Sequence, residues 1–428
     1  MPIVAKHRTI NRGETVPTIR FANFQDGWEE KKFGDLFEFK QTNSLSRDAL
    51  NYEKGKVRNI HYGDIHTKFR ANFDVTREKV PFINDDIDIS NIKGDNHCIE
   101  GDLVIADASE DFEDIGKAIE VRNLNGEKVV AGLHTLIARP KEDLFAPGFL
   151  SYLMRSKTVR LQIKMLAQGT KVLGIAPRHL SEVLFKIPKK SEQRKIASFL
   201  ELVDGFTENL RTQKDALQEY KKGMMQKIFA QEIRFKDDKG KSFPRWEEKE
   251  LGEVLKERKE FSRKGKGYTH ISLTTQGVVP KSERYDRDFL VGDDEAKGYK
   301  ITRLNDLCYN PANLKFGVIS INKLSAGIFS PIYVTFEIVG QNIDFVGYYL
   351  IRDAFINKAR RYEQGTVYER MAVHPLDFVK IKLAFPSLAE QEKIANFLTS
   401  IVKAIELREK QIAQAVQWKK GLMQQMFV

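Results

Sequence analysis

The strongest hydrophobic pattern in the chain is a series of mostly apolar side chains, spaced alternately by three and four residues, that starts at Ile196. Its positions are Ile196, Phe199, Val203, Phe206, Leu210, Gln213, Leu217, Tyr220 and Met224. This spacing is typical of a coiled-coil seam, and it is kept over about four heptads without a proline. The pattern predicts a long helix over residues 189–230.

A second long helix is predicted over residues 387–428, because the opening phrase of the first helix returns there. "SEQRKIASFL" at 191–200 becomes "AEQEKIANFL" at 389–398, and 15 of 40 positions are identical when 191–230 is laid over 389–428 without gaps. Neither helix can bury its apolar stripe alone, so we expect an antiparallel pair. The expected packing residues are Ile196, Phe199, Val203, Phe206, Leu210 and Leu217 of the first helix, and Ile394, Phe397, Ile401, Ile405 and Ile412 of the second.

Short runs rich in β-branched and aromatic residues fill most of the remaining sequence and are separated by turn residues. Examples are "VRNIHYGDI" (57–65), "DLVIADA" (102–108) and "THISLTTQGVV" (269–279). Each series of such runs is followed by one helix-like stretch. This indicates one mixed α/β unit over 1–188 and another over 231–386.

The two units also share sequence. "GWEEKKFGDLFE" (27–38) corresponds to "RWEEKELGEVLK" (245–256), and Gln-Gly-Thr occurs at 168–170 and again at 364–366. The order of unit, helix, unit and helix predicts an α+β protein in which two mixed α/β domains form a pseudo-two-fold tandem, joined by two long antiparallel coiled-coil helices. Because the middles of the two units hardly match, the duplicated frame favours two domains that recognise different targets.

Composition and charge limit the class of protein. With 428 residues, 41% of them hydrophobic, the chain is predicted to fold into more than one domain. The net charge of +11 favours a polyanionic partner, and a basic solvated surface is the alternative. No apolar run suits a membrane span or a secretory leader, and the two cysteines, Cys98 and Cys308, cannot form a disulfide framework. We therefore expect a cytoplasmic protein without a membrane partner.

Catalytic motifs are missing from the sequence. The nearest approach to a methyltransferase motif is "YNPAN" (309–313), which lacks the second proline and the aromatic residue of the Asn/Asp-Pro-Pro-aromatic pattern. No GxxxxGK[ST] phosphate-binding loop occurs, and the eight histidines are scattered without the spacing of metal ligands. The sequence predicts no catalytic site, no metal site and no cofactor.

Basic and amide side chains in loop-like stretches are the remaining functional candidates, because Arg and Lys bind phosphates or guanine and Gln can read adenine. The candidates for DNA contact are Arg58, Lys68, Arg70, Gln168, Thr170, Lys171, Arg263, Lys264, Gln276, Lys281, Arg284, Gln364 and Thr366. A phosphate contact or an ordinary solvated position is the alternative to base reading for each of them. For the two Gln-Gly-Thr loops, the alternative is a structural turn.

The whole chain resembles the specificity subunit of type I restriction-modification enzymes, which are bacterial defence systems. The resemblance rests on the "SEQ" and "AEQ" helix openings after a proline, the paired "WEE" openings of the units, the Gln-Gly-Thr loops, and the "KKG" phrase near each helix end. It implies that each α/β unit is a target recognition domain for one half of a split double-stranded DNA sequence, and that the helices set the spacing between the halves.

The resemblance further implies that this chain is not catalytic. Two methyltransferase (modification) subunits would dock on it, restriction subunits would join them, and AdoMet, ATP and Mg²⁺ would belong to those partners. Two alternatives remain from the sequence: a repeat scaffold that binds only proteins, and, less favoured, a self-contained restriction or modification enzyme.

Overall fold

The chain divides into two compact units, and each unit contains part of both long helices. The computed structural model describes residues 3–5, 16–262, 267–281, 298–365 and 371–428. The first unit comprises Met1–Arg211 with Lys410–Val428, and the second comprises Thr212–Glu409. Each α/β domain thus carries one half of each long helix.

The first unit is built mainly from short strands and short helices. In chain order its elements are β1 Ile3–Ala5, β2 Ile19–Phe21, β3 Glu29–Lys32, α1 Phe33–Leu36, β4 Phe37–Lys40, β5 Leu50–Asn51, β6 Arg58–Ile60, α2 Tyr62–Thr67, β7 Asn72–Asp74, β8 Phe82–Ile83, β9 Leu103–Ala106, β10 Ala108–Ser109, β11 Ala118–Asn123, β12 Val129–Ala131, β13 Thr135–Pro140, α3 Phe149–Leu153, α4 Lys157–Leu166, β14 Leu173–Gly174, α5 Pro177–Leu180 and β15 Leu184–Ile187. The long helix α6, Lys190–Phe229, begins in this unit and ends in the second.

The second unit repeats this plan. Its elements are β16 Glu247–Glu250, α7 Leu251–Val254, β17 Leu255–Glu257, β18 Phe261–Ser262, β19 Thr269–Thr274, β20 Gly277–Pro280, β21 Tyr299–Thr302, β22 Leu307–Tyr309, β23 Ile319–Ile321, β24 Gly327–Phe329, β25 Val334–Ile338, α8 Ile343–Leu350, α9 Asp353–Arg360, β26 Glu363–Gln364, β27 Ala372–Val373, α10 Pro375–Phe378 and β28 Lys382–Phe385. The long helix α11, Leu388–Met426, begins here and ends in the first unit.

The two units share one strand order, which confirms the predicted duplication. Strands β4-β13-β9-β11 of the first unit correspond to β17-β25-β22-β23 of the second, and in both sets the neighbours run antiparallel. In the first unit β7 adds a parallel strand beside β11. The central strands β9 and β22 are buried along their whole length, as expected for strands covered on both faces.

The two long helices run antiparallel inside each unit. In the first unit the ring of Phe199 packs edge-on against Trp418, with centroids 6.3 Å apart. In the second unit Tyr220 packs against Phe397 at 6.4 Å, and the Nε of Arg408 donates a 2.8 Å hydrogen bond to Gln213. Residue numbers therefore rise along one helix as they fall along the other. The predicted fold class, two α/β domains with a pair of long antiparallel helices, is confirmed.

The buried stripe of the first long helix differs from the predicted seam. Its buried side chains in the first unit include Ile196, Leu200, Val203, Thr207 and Leu210. Phe206, which was expected to pack, is 56% exposed, and Phe199 is half-buried. The reason is that α6 packs against the core of its own domain as well as against the partner helix. At two of the predicted seam positions the next residue is buried instead, Leu200 beside Phe199 and Thr207 beside Phe206. Of the other expected packing residues, Ile394 and Ile401 are buried, whereas Leu217, Phe397, Ile405 and Ile412 are half-buried.

The repeated helix opening anchors each helix to its own domain. In the first unit the buried carboxylate of Glu192 accepts hydrogen bonds from Nε and Nη2 of Arg20, at 2.7 and 2.6 Å. The neighbouring Gln193 accepts from the backbone N–H of Ala146 at 2.8 Å and donates to the carbonyl of Pro188 at 2.9 Å. Both side chains are therefore engaged inside the domain and hold the start of the helix against it.

The second unit repeats these contacts with the equivalent residues. Glu390 accepts from Nε and Nη2 of Arg234, at 3.1 and 2.6 Å, and from Nε1 of Trp246 at 3.2 Å. Gln391 accepts from the backbone N–H of Asn342 at 3.0 Å. The two arginines belong to the repeated "IRF" phrase, at 19–21 and 233–235. The repeated phrases of the sequence thus form equivalent arginine–glutamate ion pairs in the two units.

A buried carboxylate lies beneath the start of α3 in the first unit. Glu120 is 2% exposed and accepts hydrogen bonds from the backbone N–H groups of Gly148 and Ser151, the latter at 2.9 Å. Burial raises the pKa of Glu120 to about 7, against the opposing effect of these hydrogen bonds and of Arg122. A group whose pKa is raised on folding stabilises the fold fully below its unfolded pKa, and that contribution is lost as the pH rises through the folded pKa.

We therefore expect the free energy of unfolding of the first unit to fall by about 3 kcal/mol between pH 4.5 and pH 8 through Glu120. Glu120→Gln should remove this part of the pH dependence, because an amide does not ionise. The measurement is urea unfolding of both proteins at several pH values, with the exposed Glu182→Gln as the matched control. A pH slope in Glu120→Gln equal to that of the wild type would contradict the expectation.

Candidate nucleic-acid interface

The Gln-Gly-Thr phrase of the first unit forms the exposed tip of a tight hairpin. Gln168 and Gly174 exchange both backbone hydrogen bonds, at 2.9 and 2.7 Å. Between them Gly169 has φ +126°, and a Cβ atom there would lie 2.0 Å from the carbonyl oxygen of Val172. Residues 168–172 are all exposed, so Gln168, Thr170 and Lys171 lie at the tip. The glycine is thus required by the turn, and the polar side chains around it are accessible to a partner.

In the second unit Gln364 and Gly365 lie at the end of one strand of an antiparallel pair. Gln364 ends β26, which pairs antiparallel with β27, and Gly365 has φ +147°. The amide of Gln364 is exposed and donates to Asp377 Oδ2 at 2.7 Å. Thr366 lies outside the described residues. Positive φ at the glycine is therefore common to both copies.

Other predicted residues of the second unit lie on a different hairpin. Gln276 is exposed in the turn between β19 and β20, and its backbone N–H donates to Thr274 Oγ1 at 3.1 Å. Lys281 follows β20, is half-buried, and donates its backbone N–H to the carbonyl of His270 at 3.1 Å. Arg263, Lys264 and Arg284 lie outside the described residues.

Arg58 is held by its own domain. Its guanidinium forms an ion pair with Glu127, donates to the carbonyl of Val80 at 2.8 Å, and lies 4.0 Å from the ring centre of Phe82. The side chain is 20% exposed. The geometry gives Arg58 a structural role in linking strand β6 to its neighbours.

Lys68 and Arg70 line a cleft between the first domain and the long helices that belong to its unit. The cleft has a volume of about 850 Å³. Its charged lining comprises seven cationic side chains and four carboxylates, namely Lys68, Arg70, Arg77, Arg122, Arg155, Arg211 and Lys419 with Asp74, Glu201, Asp204 and Glu208. The excess of positive charge makes this cleft, here named the basic cleft, suited to an anionic partner such as a phosphate backbone.

Carboxylates of α6 partly neutralise the basic cleft. Arg70 pairs with Glu208 at 2.9 Å, and Arg122 lies 3.3 Å from Glu201. Lys419 forms an ion pair with Asp204. Arg70 and Arg122 belong to the domain and Lys419 belongs to α11, and all three pair with carboxylates of α6. The pairs therefore also fix the position of the domain on the helices.

Arg155 places a buried Nε atom in the cleft. Burial lowers the pKa of its guanidinium, with Asp204 acting in the opposite direction. Among the described residues, its Nε meets no hydrogen-bond acceptor. Burial also lowers the pKa of Lys419, again against Asp204. Both groups therefore carry a positive charge that an incoming anion would stabilise.

A ring cluster beside the first hairpin was not predicted. Tyr62 packs against His66 and His134, with ring centroids 5.9 and 5.4 Å away. A ring nitrogen of His66, Nε2, lies 3.0 Å from the carbonyl oxygen of Ala108, in the strand that pairs with the hairpin. No sequence signal marks these histidines, because 68 positions separate His66 from His134 and only folding brings the two to one tyrosine.

A polar cavity of about 480 Å³ adjoins this cluster. Its polar lining includes Gln41, Asn43, Asn91, Asn96, Asp107 and His134. Amide and imidazole groups of this kind both donate and accept hydrogen bonds, as the edges of nucleobases do. Together, the hairpin tip, the ring cluster and the cavity form one polar region of the first unit.

The part of the chain that the structure describes contains no assembled site for metal binding or thiol chemistry. There, no three side chains of the His, Cys, Asp and Glu types come together in a way that could hold a metal ion. Cys98 and Cys308 are buried, and burial raises the pKa of both thiols. Within the same described residues, every helix is too short or too polar to cross a membrane.

Comparison with known proteins gives one consistent result. The family described as "Type I restriction modification DNA specificity domain" matches residues 25–219 and 245–417. A putative type I restriction enzyme MjaX specificity subunit of Methanocaldococcus jannaschii is 24% identical, over 93% of this chain and 92% of its own length. The MjaVIII specificity subunit of the same organism is also 24% identical, over 70% of this chain and 73% of its own.

Solved structures show the same fold at low identity. The specificity subunit of the type I restriction-modification system from M. genitalium matches with a TM-score of 0.54 and 14% identity, over 96% of this chain and 99% of that one. A chain solved in a study of complex assembly and conformational transition of a type I restriction-modification system matches with a TM-score of 0.56 and 14% identity, over 94% and 98%.

Proposed function

This chain belongs to the family of type I restriction-modification DNA specificity subunits, and we propose that its two domains each read one half of a bipartite double-stranded DNA target. The observation that carries the proposal is the repeated hairpin. In both units the glycine of the Gln-Gly-Thr phrase has positive φ, at Gly169 and Gly365, on domains whose intervening sequences differ. A shared frame with different side chains suits two recognition domains of one design that bind different sequences.

In this proposal the basic cleft supplies affinity for DNA, and the hairpin supplies discrimination between bases. Cations such as Lys68 and Arg70 contact phosphates and supply affinity that falls with salt, whereas a few side chains at the hairpin discriminate bases. The antiparallel helices, of 40 and 39 residues, act as the spacer between the two recognition domains. Each is about 60 Å long, at about 1.5 Å per residue.

The proposal assigns the chemistry to partner subunits. Methyltransferase subunits would bind AdoMet and modify adenine in each half-site, and restriction subunits would use ATP and Mg²⁺. An apolar face is available on α6 for a docked methyltransferase subunit, because Leu202 is 73% exposed and Phe206, one helical turn later, is 56% exposed. We further propose that the protein acts in the cytoplasm, where such complexes meet DNA.

The test is reconstitution with the cognate modification subunit in a host without other DNA methylation. Methylome sequencing should then show one split motif with two half-sites and a fixed gap, and the two proteins should purify together. DNA affinity of the purified complex should fall steeply with salt. A continuous motif, or methyl transfer from AdoMet by this chain alone, would refute the proposal.

Gly169→Ala should weaken recognition of one half-site. An alanine at φ +126° is strained and its Cβ would meet the Val172 carbonyl, so the hairpin tip must move. If the tip must regain its present position on binding, strain of about 1–3 kcal/mol lowers affinity for the target by about fivefold to 140-fold. The matched control is Gly174→Ala, whose Cβ meets nothing closer than 3.7 Å, and which should bind within about twofold of the wild type. Equal affinities for the two variants would argue against a role of the tip.

A further inference from the structure

We propose that His134 reads a base edge in the half-site bound by the first domain, and that Asp107 positions its ring. This inference rests on the proposed function and adds to it a specificity-determining residue that no sequence motif singles out. It is carried by the backbone conformation of His134, by the contacts of its ring, and by the cavity that the ring faces.

The backbone of His134 is held in a conformation that few residues other than glycine adopt. Its φ is +55°, in the left-handed region, which only a few per cent of residues other than glycine adopt, histidine, asparagine and aspartate more often than the rest. The position lies between two buried strands, since β12 ends at Ala131 and β13 begins at Thr135. Glycine would adopt this conformation without strain, and it already stands two residues earlier, at Gly132. Backbone conformations of this kind are concentrated at functional sites, where the surrounding fold holds them.

The ring of His134 is held on one side and open on the other. Its Nδ1 lies 3.4 Å from Asp107 Oδ1, and its ring packs edge-on against Tyr62. The side chain nevertheless remains 50% exposed. With Nδ1 directed to a carboxylate, Nε2 is the nitrogen left for a partner.

Asp107 connects this ring to the hairpin. Its backbone N–H donates to the carbonyl of His134 at 3.1 Å, and its own carbonyl accepts from the N–H of Ile175, directly after the hairpin, at 2.9 Å. The Asp107 carboxylate is partly buried, and burial raises its pKa while His134 acts in the opposite direction. His134 and the exposed tip at 168–172 are therefore fixed to the same short segment of chain.

The surroundings suit a nucleobase. His134 and Asp107 both line the polar cavity, together with Gln41 and Asn43. The amide of Asn43 is already used, since its Nδ2 donates to Asn59 Oδ1 at 2.8 Å and to the carbonyl of Ala131 at 2.9 Å. Nε2 of His134 can accept from the exocyclic amine of adenine or cytosine, or donate to guanine O6 or N7 when the ring is charged. In each case one base pair of one half-site is read.

The experiment distinguishes the contribution of the His134 ring to base recognition from that of its backbone conformation to folding. His134→Gly relieves the φ strain and removes the ring, so the domain should fold at least as well as the wild type. His134→Gln keeps a polar side chain, and Asp107→Asn keeps the ring but weakens its orientation. Each variant is assembled with the modification subunit and offered DNA libraries in which one half-site is randomised and the other is kept intact.

With His134→Gly we expect discrimination to fall about tenfold at one position of the first half-site and to stay unchanged throughout the second. Asp107→Asn should relax the same position more weakly, and His134→Gln should alter its base preference. Wild-type discrimination at every position in His134→Gly, or equal loss in both half-sites, would overturn the inference. A wild-type complex without any split motif would instead refute the proposed function.

Discussion

A heptad inserted into both long helices should lengthen the unread gap of the DNA target by about three base pairs and leave both half-sites unchanged. The insertion points are the unit boundaries, between Arg211 and Thr212 in α6 and between Glu409 and Lys410 in α11. Seven residues add about 10.5 Å of helix, and duplex DNA rises about 3.4 Å per base pair. Seven residues also return the side chains to nearly the same face, so the packing of the two helices continues past the insertion.

The measured quantity is the gap in the methylated motif. Reaction rate is a poorer measure, because added base pairs also turn the second half-site about the DNA axis. The control is a heptad inserted into α6 alone, which leaves α11 about 10.5 Å too short to pair and should abolish methylation of any split motif. Altered half-site sequences with an unchanged gap would contradict the spacer role of the helices.

Removal of the Glu192 carboxylate should destabilise the first unit by about 3–5 kcal/mol. Glu192 is 2% exposed and Arg20 is 9% exposed, and two hydrogen bonds join them. In Glu192→Ala the guanidinium would stay buried with its carboxylate partner gone, which costs far more than the loss of an exposed ion pair. Loss of stability on this scale exceeds a third of what many domains possess.

An exposed ion pair supplies the matched control. Lys32 and Glu182 lie 2.8 Å apart with side chains 51% and 60% exposed, so Glu182→Ala should change the free energy of unfolding by less than about 1 kcal/mol. Urea unfolding followed by tryptophan fluorescence reports on the first unit through Trp28 and Trp418 and on the second through Trp246. Similar small losses in Glu192→Ala and Glu182→Ala would show that the buried pair adds nothing to the fold.

Much of the architecture could be predicted because its signals repeat along the chain. The spacing of apolar residues indicated both long helices, and the returning phrases indicated two related domains. The face that each helix buries was predicted less well. Phe206 fits a two-helix seam, but α6 also packs against its own domain, and the neighbouring Thr207 takes the buried position. The spacing of apolar residues predicts the buried face of a helix well when the helix packs against one surface, and poorly when it packs against two.

The candidate interface was predicted in part. Repetition singled out the Gln-Gly-Thr loops, and the hairpin explains why the glycine recurs. Net charge could not distinguish Arg58, whose side chain is 20% exposed, from Lys68 and Arg70, which also form ion pairs but are 50% and 46% exposed and line the basic cleft. The composition also contained no hint that His66, His134 and Tyr62 meet, since ring contacts of this kind depend on the path of the chain in space.

The sequence by itself determined that this protein is a duplicated α/β chain with two long helices, because duplication and periodicity can be read from neighbours along the chain. Only the tertiary structure decided which polar groups are used inside each domain and which face outward. Arg20 and Glu192 lie 172 positions apart, and Asp107 and His134 come from two different connections between strands. Burial, ion pairing and ring packing depend on distances in space, which residue order alone does not contain.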